Sequence, residues 1–571
     1  MPVIRPSYFN FVATTKSTSE LQGASGSLNI LRGGLFGNYG LGAGDTMSDN
    51  ITYSLSNGTI TISTAGTYEM IISLLVSNKA LDDTLRLLVY KNGSPIYMPT
   101  VHHDGTFRPE QNTFRHIAVF AAGDVIKFEI QVDGDGEASV LASSTVTVHR
   151  LLGHHGSVTL SGSTRLFKHA NPLTGNLLMA TPPTIVGKTL DNVGYDDTHG
   201  RLISSGSDVN LMDYNGKSGL FNFAFNYIRG SGSTGYHTSI SCSQNDTVFY
   251  SADFFGTNFF DPGPARPINL LRPMNGGDYI SLFIRNYNSS EADDDNTLEP
   301  GACFSLYEVG HGRAHISLSI SSAGTDHLTG GVSRQIAADT EKNVWKIHDS
   351  DVWGSNTAVS ASVTTHIDGH NITWDPGAGT FTPKYDGIYY LAALTDIRNN
   401  NIIASPKATK RLKVGGVNFI TSSETELYLG ENQRDHGSAC DFITLVSCTA
   451  GQAISVTHES EEPFKFGQGT SLTMYRLGQE WISARGSEEG NDEPAEKITS
   501  NYTLNTYETA SKNNPRSQHK KDVEQSPYIL STPGPLSLRG RTRWASHAGP
   551  DGEAEDAAGV RPFSYKKISK D

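Results

Sequence analysis

A chain of 571 residues exceeds what one hydrophobic core organises, so two to four domains are expected. Its formal charge of −14 argues against nucleic acid as a partner, and no apolar run approaches the roughly 20 residues that cross a bilayer, so no membrane insertion is expected. Apolar residues make up 37% and charged residues 18%, with 58 glycines, a composition that points to turn-rich β structure rather than amphipathic helices.

The stretch from Met1 to Pro6 has no charged and apolar leader, so export is not expected. Residues 57–72 place the alternating run Thr59, Ile60, Thr61, Ile62 before a turn ending at Gly66 and a second apolar stretch from Tyr68. This pattern predicts a hairpin. Residues 84–93 predict a strand running into an Asn92-Gly93 turn. Ala122, Gly123 and Asp124 open an alternating strand through Ile130, and residues 144–151 form a closing strand. Beyond the Gly153-His154-His155-Gly156 linker the pattern returns in looser form. Residues 220–227 alternate, Gly276-Gly277-Asp278 opens a strand through Ile284, and residues 303–309 close. After a second Gly/His linker at 310–312, residues 379–391 repeat the pattern of 57–72, and 411–416 repeat the run into the turn. Residues 450–456 repeat the post-turn strand, and 471–477 close.

Asp124 and Asp278 lie 154 residues apart, so a domain of about 150–170 residues is expected three times. The expected boundaries are 1–153, 158–310 and 313–478, the middle copy being the most diverged. Residues 479–571 are polar and mixed in charge, with Pro-bearing runs. They are expected to be disordered, or to order only on a partner. Cys440 and Cys448 sit on one extended stretch, too far apart to bridge, and four cysteines make no disulfide framework. Buried free thiols, formed in a reducing cytosol, are the expectation.

The residues carrying the repeat are Gly66-Thr67-Tyr68 and Gly387-Ile388-Tyr389-Tyr390, Lys91-Asn92-Gly93, Ala122-Gly123-Asp124 and the closing strands. In this order they resemble the complement C1q and tumour-necrosis-factor superfamily of jelly rolls, most closely over 50–153 and 365–478. The resemblance implies an all-β fold of three tandem antiparallel jelly-roll sandwiches with threefold packing and ligand-bearing loops. No Gly-x-y collagen segment accompanies it. The context fits a virion protein made in a host cytoplasm, a head or tail fibre, spike or capsid decoration that displays loops for host-surface attachment. Its expected partners are capsid, portal or tail proteins and a host-surface glycan. A homotrimer is expected ahead of an intrachain pseudo-trimer; a secreted or cell-surface lectin-like recognition protein is the alternative, with a carbohydrate-active enzyme on a β-sandwich behind it.

No motif supports catalysis: nucleophile elbow, zinc signature, Cys-x-x-Cys and dinucleotide fingerprint are all missing, so no enzyme and no cofactor are expected. Gly216-Lys217-Ser218 lacks the upstream glycine of a phosphate loop. Asp133-Gly134-Asp135 begins like a calcium loop, but Ser144 stands where the closing carboxylate belongs, so a turn is expected. Asp293, Asp294 and Asp295 are the candidate ligands for a structural Ca²⁺, since clustered carboxylates suit that cation, against a solvated loop as the plainer reading. Tyr250, Phe254, Phe255, Phe259 and Phe260 form an aromatic run that is a candidate for ligand or interface contacts, against core filling as the plainer role.

Overall fold

The alternating Thr/Ile and aromatic stretches fold into antiparallel strands, paired into three two-sheet sandwiches. A computed structural model of the chain describes residues 6–13, 21–22, 27–32, 46–78, 84–102, 109–133, 137–151, 155–160, 164–165, 190–192, 202–204, 211–214, 219–228, 237–245, 247–255, 266–275, 278–287, 297–298, 301–309, 314–320, 333–353, 363–367, 371–399, 407–426, 436–467 and 469–477. All of these lie in one compact unit, Pro6–Val309 with Ala314–Leu477.

One sheet of each sandwich is built on four principal strands. In the first sandwich they are β1 (Tyr8–Val12), β2 (Gly66–Asn78), β3 (Pro109–Phe120) and β4 (Thr145–Arg150). In the second they are β5 (His155–Leu160), β6 (Gly219–Tyr227), β7 (Arg266–Met274) and β8 (Cys303–Glu308). In the third they are β9 (His315–Ile320), β10 (Gly387–Asn399), β11 (His436–Cys448) and β12 (Ser471–Arg476). The lateral order is β1-β4-β2-β3, then β5-β8-β6-β7, then β9-β12-β10-β11. First and last strands lie side by side in each copy, and the chain alternates between two sheets, as in a jelly roll.

The facing sheets repeat as well. The order in the second sandwich is Leu202–Ser204, Leu211–Tyr214, Tyr279–Tyr287, His237–Gln244, Thr247–Phe255. In the third it is Ile372–Asp375, Thr380–Pro383, Ile454–Ser460, Lys407–Val414, Val417–Glu426. Thus the middle copy, although the most diverged in sequence, keeps the strand order of its neighbours.

The repeated pattern at 57–72 and 379–391 is not a hairpin. Thr59–Ile62 pairs with Ile51–Ser54 and Val125–Asp133 in one sheet, whereas β2 pairs with β3 and β4 in the other. Residues 63–65 therefore carry the chain across the sandwich rather than back along it. The Tyr68 hydroxyl donates to the Thr64 carbonyl at 2.7 Å, and Tyr389 donates to Tyr385 at 2.9 Å. Both tyrosine rings are buried, so this bond ties the corner to the core. The aromatic residue after the glycine thus marks a corner between sheets.

A second repeated device fixes the far end. Asn92 and Asn245 sit at φ 51 and 50, and Gly415 at φ 60, the left-handed turn positions that Asn and Gly tolerate. The Asn92 Nδ2 donates to Asp124 Oδ1 at 2.6 Å, and Asn245 Nδ2 to Asp278 Oδ1 at 2.7 Å. In the third copy glycine has no side chain, and Gln452 fills the space instead, with Nε2 3.1 Å from where a Cβ would stand. The Gly-Asp anchors of the sequence are therefore carboxylate caps between two turns.

Two apolar cores fill the first and third sandwiches, around Phe9, Tyr68 and Phe128 in one and Trp345, Tyr389 and Phe466 in the other. Helix among the described residues is limited to one turn, α1 (Ser350–Trp353), whose Val352 and Trp353 join the third core. Among the described residues no helix is long and apolar enough to cross a membrane.

Candidate assembly site at the junction of three sandwiches

Alternation along β6 puts Phe221, Phe223 and Phe225 on one face and Asn222, Ala224 and Asn226 on the other. Phe223 packs edge-on against Phe249 of the facing sheet, with centroids 5.8 Å apart. The asparagine face should then meet water, yet Asn222 and Asn226 are also fully buried. A second burial partner is required, and it is another sandwich.

The third strand of each four-strand set, β3, β7 or β11, contacts the four-strand sheet of a neighbour. The edge at β11 meets β1 and β4 of the first sandwich; the edge at β7 meets β9 and β12 of the third; the edge at β3 meets β6 and β8 of the second. The contacts form a closed cycle.

Side chains of the covering sheet satisfy the backbone groups that an edge strand leaves open. The Leu445 N–H donates to Asn10 Oδ1 at 3.1 Å, and Asn10 Nδ2 returns a bond to the Leu445 carbonyl at 3.2 Å. Thr145 Oγ1 donates to the Ile443 carbonyl at 2.8 Å, and the Gln111 amide exchanges bonds with the N–H and C=O of Asp441. At the next seam Leu271 N–H donates to Ser317 Oγ at 3.1 Å, and Thr473 Oγ1 donates to the Asn269 carbonyl at 2.9 Å. Unpaired buried amides cost about 1–3 kcal/mol each, so this capping makes burial of a strand edge affordable.

Tyrosines at the facing-sheet edges close two seams in the same way. Tyr97 donates to the Gly301 carbonyl at 2.7 Å and Tyr250 to the Gly469 carbonyl at 3.0 Å. Gly301 and Gly469, both at φ 92, precede β8 and β12 by the same spacing that separates Ser143 (φ 74) from β4. Ile228 and Ala302 of the second sandwich pack into the first core, and Val12 of the first packs into the third.

Where the three sheets converge, corresponding positions meet. The strand register pairs His149 with Glu69, Tyr307 with Asn222 and Tyr475 with Tyr390. From the third strands come Arg115, Asn269 and Ile443, aligned by their pairings with Ile71, Ala224 and Ala392. Glu69 accepts from Arg115, lies 2.8 Å from His149 Nε2 and accepts from the Tyr307 hydroxyl at 2.9 Å. Arg115 also donates to Asn269 Oδ1 at 2.8 Å and to the Tyr390 hydroxyl at 3.2 Å. Asn222 Nδ2 donates to the Tyr307 hydroxyl at 2.6 Å, which lies 2.9 Å from the Tyr475 hydroxyl. The Tyr390 and Tyr475 rings stack at 4.7 Å. Beside this polar layer, Ile117, Leu271 and Leu445 pack with Leu151 and Val309, and Leu477 borders them.

Burial alone would raise the Glu69 pKa, but the Arg115 guanidinium and the bonds from His149 and Tyr307 hold it below the ordinary carboxylate range. Burial pushes Tyr307 and Tyr475 well above the usual phenol value, with Glu69 adding to the effect. Both hydroxyls therefore stay protonated and serve as donors. This arrangement holds charge in place and binds three sheets into one body.

Of the residues singled out in the sequence, Tyr250 stands at the seam with the third sandwich. Phe254 and Phe255 end the Thr247–Phe255 strand, and Phe259 and Phe260 lie outside the described residues. Asp293, Asp294 and Asp295 also lie outside them, as do residues 479–571, the 216–218 segment, residues 153–154 of the first Gly/His linker and the whole of the second. Among the described residues no group of three or more His, Cys, Asp or Glu side chains is arranged to hold a metal. Cys242, Cys303 and Cys448 are free and buried. Glu69, Arg115, Asn222 and Asn269 carried no sequence signal, but the closing strands did place His149, Tyr307 and Tyr475 in register.

No family model matches the chain, and no curated protein does. Among solved structures, the Eiger TNF of S. frugiperda is similar at 11% identity and TM-score 0.19, over 26% of this chain and 94% of that one. A structure described as the triple jelly roll fold and turret assembly in an archaeal virus is similar at 8% identity and TM-score 0.15, over 82% and 95%. Dimeric latent PorU from Porphyromonas gingivalis is similar at 10% identity and TM-score 0.15, over 69% and 33%. At such scores the likenesses carry no argument, and the jelly-roll assignment rests on strand order: three antiparallel jelly-roll sandwiches in a single all-β chain.

Proposed function

We propose that the protein is a structural display module, a virion-associated fibre, spike or decoration protein whose three-lobed body comes from one chain. The single observation behind this reading is the cycle of seams closing on Glu69, Arg115, His149, Asn222, Asn269, Tyr307, Tyr390 and Tyr475. Each lobe contributes a different set, so the centre is complementary only with all three present. Three copies of the first lobe would lack the Tyr307, Asn269 and Tyr390 groups that complete the bonding of the buried Glu69–Arg115 pair. This favours an intrachain pseudo-trimer over the homotrimer expected from the sequence. Buried free thiols fit folding in a reducing compartment. Loops outside the sheets would be the surfaces for host attachment.

Native mass spectrometry tests the assembly: a species near 61.7 kDa supports it, and one near three times that mass overturns it. The virion role is tested separately by immunogold labelling of purified particles, where the absence of regularly spaced label rejects it.

A further inference from the structure

The Glu69–Arg115 ion pair at the junction has its members on a single lobe and draws further bonds from the other two. Glu69, Arg115 and His149 belong to the first sandwich, Tyr307 and Asn269 to the second, and Tyr390 to the third. Glu69 and Arg115 are both 0% exposed. The titratable groups facing Glu69 are Arg115 from β3, His149 from β4, Tyr307 from β8, and Tyr390 and Tyr475 from β10 and β12. The Cys303 thiol of β8 lies nearby. His116, next in sequence to Arg115, points to the other face of β3, where its ring stacks on Tyr97.

Among these groups Glu69 is the one carboxylate. With Glu69 ionised and Arg115 charged, the pair balances. A proton taken by Glu69 leaves the Arg115 charge with no second acid among these groups to offset it. An uncompensated buried charge is strongly destabilising. The seams are its outlet, since separating the lobes hydrates the cluster while the first and third apolar cores stay within single sandwiches, apart from Ile228, Ala302 and Val12 at their margins.

We infer that the junction is an acid-operated latch: a proton delivered to Glu69, buried against Arg115 at the meeting of the three sheets, parts the lobes while each sandwich remains folded. The direction follows from linkage. A carboxyl held below its ordinary value of 4.5 contributes stability that is complete above that value and is lost as pH falls through the lower folded value. Opening should therefore grow about tenfold per pH unit in that window for each proton taken up. The inference depends on one chain supplying all three lobes, which native mass decides independently.

The test is hydrogen exchange on the full chain between pH 7 and 3, expressed as protection factors. Asp441, Leu445 and Leu271 report on the seams, and Val89 and Val456 report on the sandwich interiors. Expected are seam amides that lose protection about tenfold per pH unit below 4.5, beyond whatever loss the interior amides show over the same span. A Glu69→Gln/Arg115→Met double variant should flatten that dependence. Seam and interior amides failing together would show global acid unfolding and overturn the latch, as would seams still protected at pH 3. An unchanged slope in the double variant would also overturn it. If that variant does not fold, the wild-type comparison of seam and interior decides alone.

Discussion

Replacing Asn10 with leucine tests whether the seams are dry and whether side chains truly stand in for a missing strand. Asn10 is fully buried, and its amide makes four bonds: two with the Leu445 backbone, one from Thr444 at 3.1 Å and one from Thr147 at 2.7 Å. Leucine has similar volume but offers none of them. The Leu445 N–H would lose its bond to Asn10, while its carbonyl would keep only a 3.4 Å contact from Thr444. Two buried backbone groups at about 1–3 kcal/mol each, less the gain from an added apolar side chain, leave a net loss of about 2–4 kcal/mol. With a urea slope of about 1–3 kcal/mol/M, the first unfolding transition should move down by about 1–2 M. Thr145→Val, an isosteric change that orphans the Ile443 carbonyl, should reproduce about 1–3 kcal/mol of that effect. A shift below about 0.5 kcal/mol in both variants would mean that water already reaches the seam, and the capping argument would fail.

Gly301→Ala should be more damaging than a usual surface change, because the site is at φ 92 and a Cβ would lie 2.5 Å from Cβ of Pro99 across the seam. The left-handed backbone alone costs about 1–2 kcal/mol, and thermal melting should show a loss beyond that figure; an unchanged melt would refute close approach. His116 is held neutral by burial, its pKa lowered from 6.5 to about 4. A depressed histidine means stability that is complete above 6.5 and falls as pH drops toward 4, by about 3 kcal/mol in all. His116→Phe should remove that slope from denaturation midpoints measured between pH 7 and 4, and a persisting slope would assign it elsewhere.

The threefold repeat was legible in the sequence because its anchors are local: a turn at Asn92-Gly93, the carboxylate cap at Asp124, an alternating closing strand. Alternation was less informative about what lies opposite. The Asn222 and Asn226 face of β6 reads as polar, but the sequence alone does not distinguish water from a second buried sheet. The same ambiguity hid Glu69 and Asn10, whose partners are 46 to 435 residues away. The step from Ile62 to Tyr68 looked like a hairpin because a short turn between two strands has the same spelling whether they pair or cross. Lys410 and His458 show the limit from the other side. They are buried partners in the third sandwich where the first has Leu87 and Ile130, and no spacing rule foretells that exchange.

The cyclic seams carry a consequence for any shortened form of the chain. Each seam sets an edge strand of one sandwich on the sheet of the next, so the two sides of a seam are never alike. With the third sandwich removed, the β7 edge of the second and the β1-β4 face of the first would both be uncovered on the same molecule. Such a two-lobed fragment has one sticky end of each kind, and its simplest satisfaction is another fragment, then another. The intact body remains finite because the third lobe occupies the position where a growing polymer would add its next unit.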